Sequence, residues 1–119
     1  MKLLIVDDNP AIRGLIRSCL ELLTTDVRES ASGEEAVRQC ATFVPDCITV
    51  DLRMPGIDGL TTITRVRKLH PHAYIVLVTQ FDHSGIEGLA LRAGADALVL
   101  KERISGLAAV LQCGVRRTS

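Results

Sequence analysis

The sequence predicts an α/β fold, a single parallel five-stranded sheet with helices on both faces. Three observations carry this. Short apolar runs alternate with segments of helical periodicity, the runs are continuous, and turn and cap residues fall between the two kinds of segment. The runs are Leu3 to Val6, Cys47 to Val50, Ile75 to Val78 and Ala97 to Leu100. Continuous apolar runs mark strands buried on both faces, as in parallel sheets. A fifth strand, Thr25 to Ser30, is polar and weakly alternating, which suits an edge.

Each intervening segment has an apolar stripe. Ile12, Leu15, Ile16, Cys19, Leu20 and Leu23 define the first helix, and Ala36, Val37, Cys40 and Ala41 a shorter second. The third runs from Gly59 to Leu69, with Leu60, Ile63 and Val66 inward and Arg65, Arg67 and Lys68 outward. Ile86, Leu89, Ala90 and Ala93 form the fourth stripe, and Ile104, Leu107, Ala108, Leu111 and Val115 the fifth. Asp8 or Asn9 can cap the first helix, Ser32 with Glu35 forms a capping box, and Gly94 closes the fourth helix. Pro45 and Pro71 sit just before the third and fourth strands, where they stop the preceding helices. Right-handed crossovers then put helices on both sides of the sheet, and ligands bind beyond the strands' carboxyl ends.

Composition narrows the function. The 119 residues suffice for one domain, 1–119, and need no disulfide to fold. No apolar run nears the roughly 20 residues of a membrane helix, and the start lacks a signal-peptide core, so the cytoplasm is expected. Fourteen basic residues balance fourteen acidic ones, and the aromatics are only Phe43, Tyr74 and Phe81, which argues against direct nucleic-acid binding. Cys19, Cys40, Cys47 and Cys113 form no C-x-x-C pair and read as reduced core residues. His70, His72 and His83 lie in connections and read as solvated.

The polar residues that follow the apolar runs are more informative. Asp7 and Asp8 follow the first strand, Asp51 the third, Thr79 the fourth and Lys101 the fifth. Neighbouring strands lie about 5 Å apart, so all five residues meet at one edge. Crowded carboxylates without His or Cys select a hard cation, and Mg2+ suits a few carboxylates completed by water and phosphate. Asp51 can act as a carboxylate nucleophile towards phosphorus, while Thr79 and Lys101 meet the phosphoryl oxygens.

On these residues the chain resembles response-regulator receiver domains over nearly its whole length. The carrying segments are Leu3-Leu4-Ile5-Val6-Asp7-Asp8-Asn9-Pro10, Asp51-Leu52-Arg53-Met54-Pro55-Gly56-Ile57-Asp58-Gly59, Val76-Leu77-Val78-Thr79, and Gly94-Ala95-Asp96-Ala97 running to Lys101. The resemblance implies a flavodoxin-like sheet of order 2-1-3-4-5 and a phosphoacceptor switch rather than an enzyme. It makes Asp51 the acceptor and a sensor histidine kinase or phosphotransfer protein the donor. It implies Mg2+ bound directly by Asp8, Asp51 and the backbone carbonyl of Arg53, and by Asp7 through water. Homodimerisation on phosphorylation belongs to the same expectation, as does output through the fourth helix, fifth strand and fifth helix, or through the first and fifth helices. Arg103 and Gln112 are then expected on the outward face of the fifth helix.

Three positions depart from the family pattern. Leu98 stands where most receivers carry an aromatic residue, Gln80 where a small residue is usual, and Glu102 where proline is frequent. Glu102, together with Gly94-Ala95-Asp96, looks more like the NarL/FixJ type of transcriptional regulator. That type reaches DNA only through a C-terminal helix-turn-helix domain, which would lie outside these residues. A stand-alone single-domain regulator is the alternative. A haloacid-dehalogenase phosphatase would want a second Asp two residues after the nucleophile, where Arg53 stands. A flavin module would want a Ser/Thr/Gly-rich loop in place of Asp7 to Pro10.

Overall fold

The computed structural model describes residues 1–80 and 85–118, with side chains described up to 114. Phe81, His83 and the side chain of Val115, all named above, therefore lie outside the described residues.

Five strands, β1 (Lys2–Val6), β2 (Asp26–Ser30), β3 (Cys47–Asp51), β4 (Tyr74–Thr79) and β5 (Ala97–Leu100), form one sheet of order β2-β1-β3-β4-β5. Every pairing is parallel. The helices are α1 (Pro10–Cys19), α2 (Gly33–Gln39), α3 (Gly59–Leu69), α4 (Ile86–Ala93) and α5 (Leu107–Thr118). No helix among the described residues is long and apolar enough to cross a membrane.

Strand residues alternate between two cores because successive side chains leave a strand on opposite faces. Leu4, Val6, Ile48, Val50, Ile75 and Leu77 pack with Ala36 of α2, Ile63 and Val66 of α3, and Ile86 and Ala90 of α4. Leu3, Ile5, Cys47, Val76, Val78 and Val99 pack on the other face with Ile16 of α1 and Leu107 and Leu111 of α5. In the edge strand β2 exposed Asp26 and Arg28 alternate with half-buried Val27 and Glu29, and Ser30 is buried, as a weakly alternating polar edge requires.

The caps hold locally. The Asn9 side chain accepts from the amides of Ala11 and Ile12, and Ser32 Oγ accepts from Glu35 N at 3.2 Å. The reciprocal half of the capping box is displaced, since Glu35 Oε2 accepts from Ala31 N rather than from Ser32. Gly94 takes a φ of 116°, a left-handed conformation that favours glycine at a helix end.

The structure departs from the sequence reading at several residues. Leu15 and Leu89 lie on the predicted stripes yet remain 47% and 45% exposed, because each helix seats only a narrow face on the sheet. The fifth helix begins at Leu107, and Lys101–Gly106 is a 3-10 turn that contains both Ile104 and Arg103. Arg103 has non-helical φ/ψ there, so it belongs to the turn and not to the helix face. Arg67 folds back to donate to Gly94 O at 2.9 and 2.7 Å, to Ala73 O at 2.7 Å and to Asp96 at 2.7 Å. His70 is half-buried, with Nε2 2.8 Å from Cys40 O, and Cys113 is exposed rather than in the core.

Candidate functional site

Strand register brings the site together. Val6 pairs with Val50, Asp51 with Val78, and Thr79 with Leu100. Asp7, Asp51, Thr79 and Lys101 therefore emerge from adjacent strands at nearly one level. Asp7, Asp51 and Thr79 are buried, while Asp8 is exposed. One carboxylate oxygen from each of Asp7, Asp8 and Asp51 lies within 4.8 Å of the others.

Lys101 Nζ lies 3.3 Å from Asp51 Oδ1 and 3.5 Å from Asp7 Oδ2. Burial pushes the Asp51 carboxyl above its usual range, and the charges of Asp7 and Asp8 push the same way. Lys101 opposes this by charge and by its hydrogen bond, without cancelling it. Asp7 Oδ2 is buried with no hydrogen-bond donor, although Asp7 Oδ1 accepts from Asn9 N at 2.9 Å. A buried carboxylate oxygen that accepts no hydrogen bond and is held only by an ion pair at 3.5 Å, among three acidic groups, fits a hard divalent cation, since oxygen-only donors select such ions.

The surrounding loops are tightly seated. The Gly59 amide donates to Leu52 O at 2.7 Å, and a Cβ on Gly59 would come 2.2 Å from Asp51 O. The start of α3 thus packs directly against the backbone of Asp51. The turn before it uses Gly56 at φ 81°, over which the Glu34 carboxylate folds so that Oε2 accepts from Ile57 N at 3.4 Å. That clasp holds the loop that carries Arg53. Asp8, Asn9, Asp51, Arg53, Gln80 and Lys101 line an open cleft of about 320 Å³. Gln80 borders the cleft from an exposed position.

All six residues expected at the site therefore sit at one strand edge. Leu98 lies further down β5, partly buried against the core that contains Leu77 and Ile86. The sequence reading missed Glu34 and Arg13, whose Nη1 donates to Asp7 O at 2.6 Å. A signal for Arg13 was present, since Arg13 and Arg17 are spaced i, i+4 on the helix that follows the acidic pair.

Comparison with known proteins gives a consistent result. Residues 3–112 match the family described as Response regulator receiver domain. The nitrate/nitrite response regulator protein NarL of Escherichia coli is 31% identical over 102 residues, covering 84% of this chain and 47% of that protein. The chemotaxis protein CheY of Listeria monocytogenes is 30% identical over 102 residues, covering 85% of this chain and 86% of that protein. Among solved structures, a response regulator protein from Burkholderia pseudomallei with a phosphorylated aspartic acid, calcium ion and citrate superposes with a TM-score of 0.85. It is 27% identical, and the match covers 98% of this chain and 69% of that one. The chain thus spans about half the length of NarL and most of the length of CheY.

Proposed function

The chain belongs to the response regulator receiver domain family of two-component systems, and on that premise we propose that it takes a phosphoryl group onto Asp51 from a sensor histidine kinase or phosphotransfer protein. The observation that carries the reading is the buried Asp51 beside Lys101 in a group of three carboxylates, one of whose oxygens lacks a donor.

Asp8, Asp51 and the Arg53 carbonyl would hold Mg2+ directly, and Asp7 would hold it through water. When bound, the ion supplies charge neutralisation and a template for the incoming phosphoryl group. The chain's residues do the rest. An Asp51 oxygen forms the new bond to phosphorus while the phosphorus–nitrogen bond of the donor phosphohistidine breaks. The bonding pair leaves with the imidazole nitrogen, which takes up a proton. Once Asp51 is phosphorylated, Lys101 offers its charge to the phosphoryl oxygens, and the Thr79 hydroxyl donates to another. Since the switch is the aspartyl phosphate itself, the chain acts as a phosphoacceptor and not as an enzyme with a separate substrate.

We further propose transcriptional output through a C-terminal helix-turn-helix domain, as in the NarL/FixJ type that the sequence resembles, with DNA reached only through it. A stand-alone single-domain regulator is the alternative reading. In either case we place it in the cytoplasm, with the domain spanning 1–119 and homodimerisation following phosphorylation. The α4, β5 and α5 surface, or that of α1 and α5, would carry the output. Family membership leaves the phosphatase reading without support. Incubation with acetyl phosphate and Mg2+ should add one phosphoryl mass to the wild type and none to Asp51→Asn. Equal labelling of the two overturns the assignment.

A further inference from the structure

Asp7 is fixed at nearly every polar atom. Its amide donates to Ser30 O at 3.1 Å, and its Oδ1 accepts from Asn9 N at 2.9 Å. Its carbonyl accepts from Arg13 Nη1 at 2.6 Å. That last bond reaches across the chain. Arg13 lies one turn into α1, and its Nε donates to Glu29 Oε1 of β2 at 2.9 Å. The other Glu29 oxygen accepts from Arg17 Nε at 3.1 Å. The Arg13 side chain is 18% exposed and that of Arg17 is 50% exposed, so only the first is enclosed.

We propose that Arg13 is a positioning residue for the acidic site: braced by Glu29, its guanidinium fixes the peptide between Asp7 and Asp8, and with it the direction in which the Asp8 carboxylate is presented to a divalent cation. The inference rests on the receiver reading of the site. Asp8 is exposed, so its backbone is what aims it. A guanidinium can grip a carbonyl and a carboxylate at once through its planar fork, whereas an ammonium offers a single point of attachment.

The sign of one measurement separates this role from a purely electrostatic one. Arg13 adds positive charge near three carboxylates, and a charge there competes with an incoming cation. Were Arg13 only a charge, its removal would tighten Mg2+ binding. As a brace, its removal weakens binding, because partners that orient metal ligands commonly set affinity by about 10–100-fold.

The test is calorimetric titration of Mg2+ into the full chain, as wild type, Arg13→Met, Arg13→Lys and Arg17→Met, with urea unfolding alongside. Arg13→Met should weaken binding by about tenfold. Arg13→Lys, which keeps the charge, should still lose about threefold, and Arg17→Met should stay within about twofold of wild type. Unchanged or tighter binding in Arg13→Met overturns the proposal. So does an equal loss in Arg17→Met, which would mean that general loosening of α1 from β2 is the cause. Should Arg13→Met fail to fold, Arg13→Lys decides alone, since a charge-only role predicts wild-type affinity for it. A wild type that binds no Mg2+ overturns the receiver reading itself, whereas a wild type that binds while Arg13→Met binds equally well overturns only the brace.

Discussion

At the amino ends of the strands, Asp46 and Asp96 commit their carboxylates to backbone amides. Asp46 Oδ2 accepts from Lys2 N at 2.7 Å, and Asp96 Oδ2 accepts from Ile75 N at 2.9 Å and from Arg67. At the carboxyl ends, Asp7, Asp8 and Asp51 crowd together beside Lys101, and a buried Asp7 oxygen accepts no hydrogen bond. Both edges belong to the same sheet and use the same kinds of residue. The amino edge is satisfied by internal partners and stabilises the fold, while the carboxyl edge holds repulsion that a ligand can relieve. Strain of this kind persists only where the rest of the structure over-determines it, and here the two packed cores and the Arg67 hub do so.

Arg67→Ala should have the largest effect on stability. It removes the donors to Gly94 O, Ala73 O and Pro71 O together and breaks the ion pair with Asp96. Water can reach part of this site, so the loss should be about 2–3 kcal/mol. Urea unfolding measures it. Acetyl phosphate labelling of the folded variant should remain at the wild-type level. Strands of five residues separate the edges by about 16 Å, so Arg67→Ala and Asp51→Asn should add within about 0.5 kcal/mol. A larger coupling would show that the two edges are one system.

Asp51→Asn should act in the opposite direction and stabilise the metal-free protein by about 1–2 kcal/mol, because it removes a buried charge among like charges. Its pH dependence has a definite sign. The Asp51 pKa is raised on folding, so the ionised carboxylate costs stability at neutral pH, and that cost disappears as pH falls through the raised value. The gap between variant and wild type should therefore be full at pH 7, begin to close above the ordinary carboxylate range, and vanish below about 3.8. Mg2+ at neutral pH should narrow the gap, since it stabilises the wild type preferentially. A variant less stable than the wild type at pH 7 without Mg2+ would mean that the Lys101 pair outweighs the repulsion.

Much of this was legible in the sequence because it is local or periodic. Continuous runs revealed buried parallel strands, and Asn9, Ser32 and Gly94 marked helix ends with side chains or φ values that act within a few residues. The site was legible for the same reason, since each of its residues directly follows a strand and register does the gathering. What escaped depends on reach and depth. A stripe gives a helix's inward direction but not how much of it is covered, hence the exposure of Leu15 and Leu89. Arg67 and Arg13 have outward positions on their helices, but their long side chains fold back to backbone carbonyls brought close only by the fold. His70 meets Cys40 O by the same kind of long-range closure. The early start assigned to the fifth helix followed from Ile104 being apolar and in phase, while the turn ending at Gly106 interrupts that phase.

The smallest expected effect concerns how far the strain at the carboxyl edge is transmitted. A phosphoryl group shifts a two-state equilibrium only by its different contacts in the two states. Thr79 ends β4 and pairs with Leu100, so a movement of its hydroxyl is felt first along β5. Leu98 is the residue there that could respond. It lines an outward groove of about 400 Å³ with Glu87, Val99, Leu100, Arg103, Gly106 and Val110. A leucine fills little of this space and carries no hydroxyl to change partners, so coupling between Asp51 and the outer face should be weak. Leu98→Tyr places a ring where the groove can admit it and should increase the coupling by about 1 kcal/mol, the low end of allosteric coupling energies. Dimer dissociation constants of both proteins, with and without beryllofluoride, measure it. The ratio of the two constants should widen about fivefold in the variant. An unchanged ratio would mean that the space beside Leu98 takes no part in carrying the signal to the outer face.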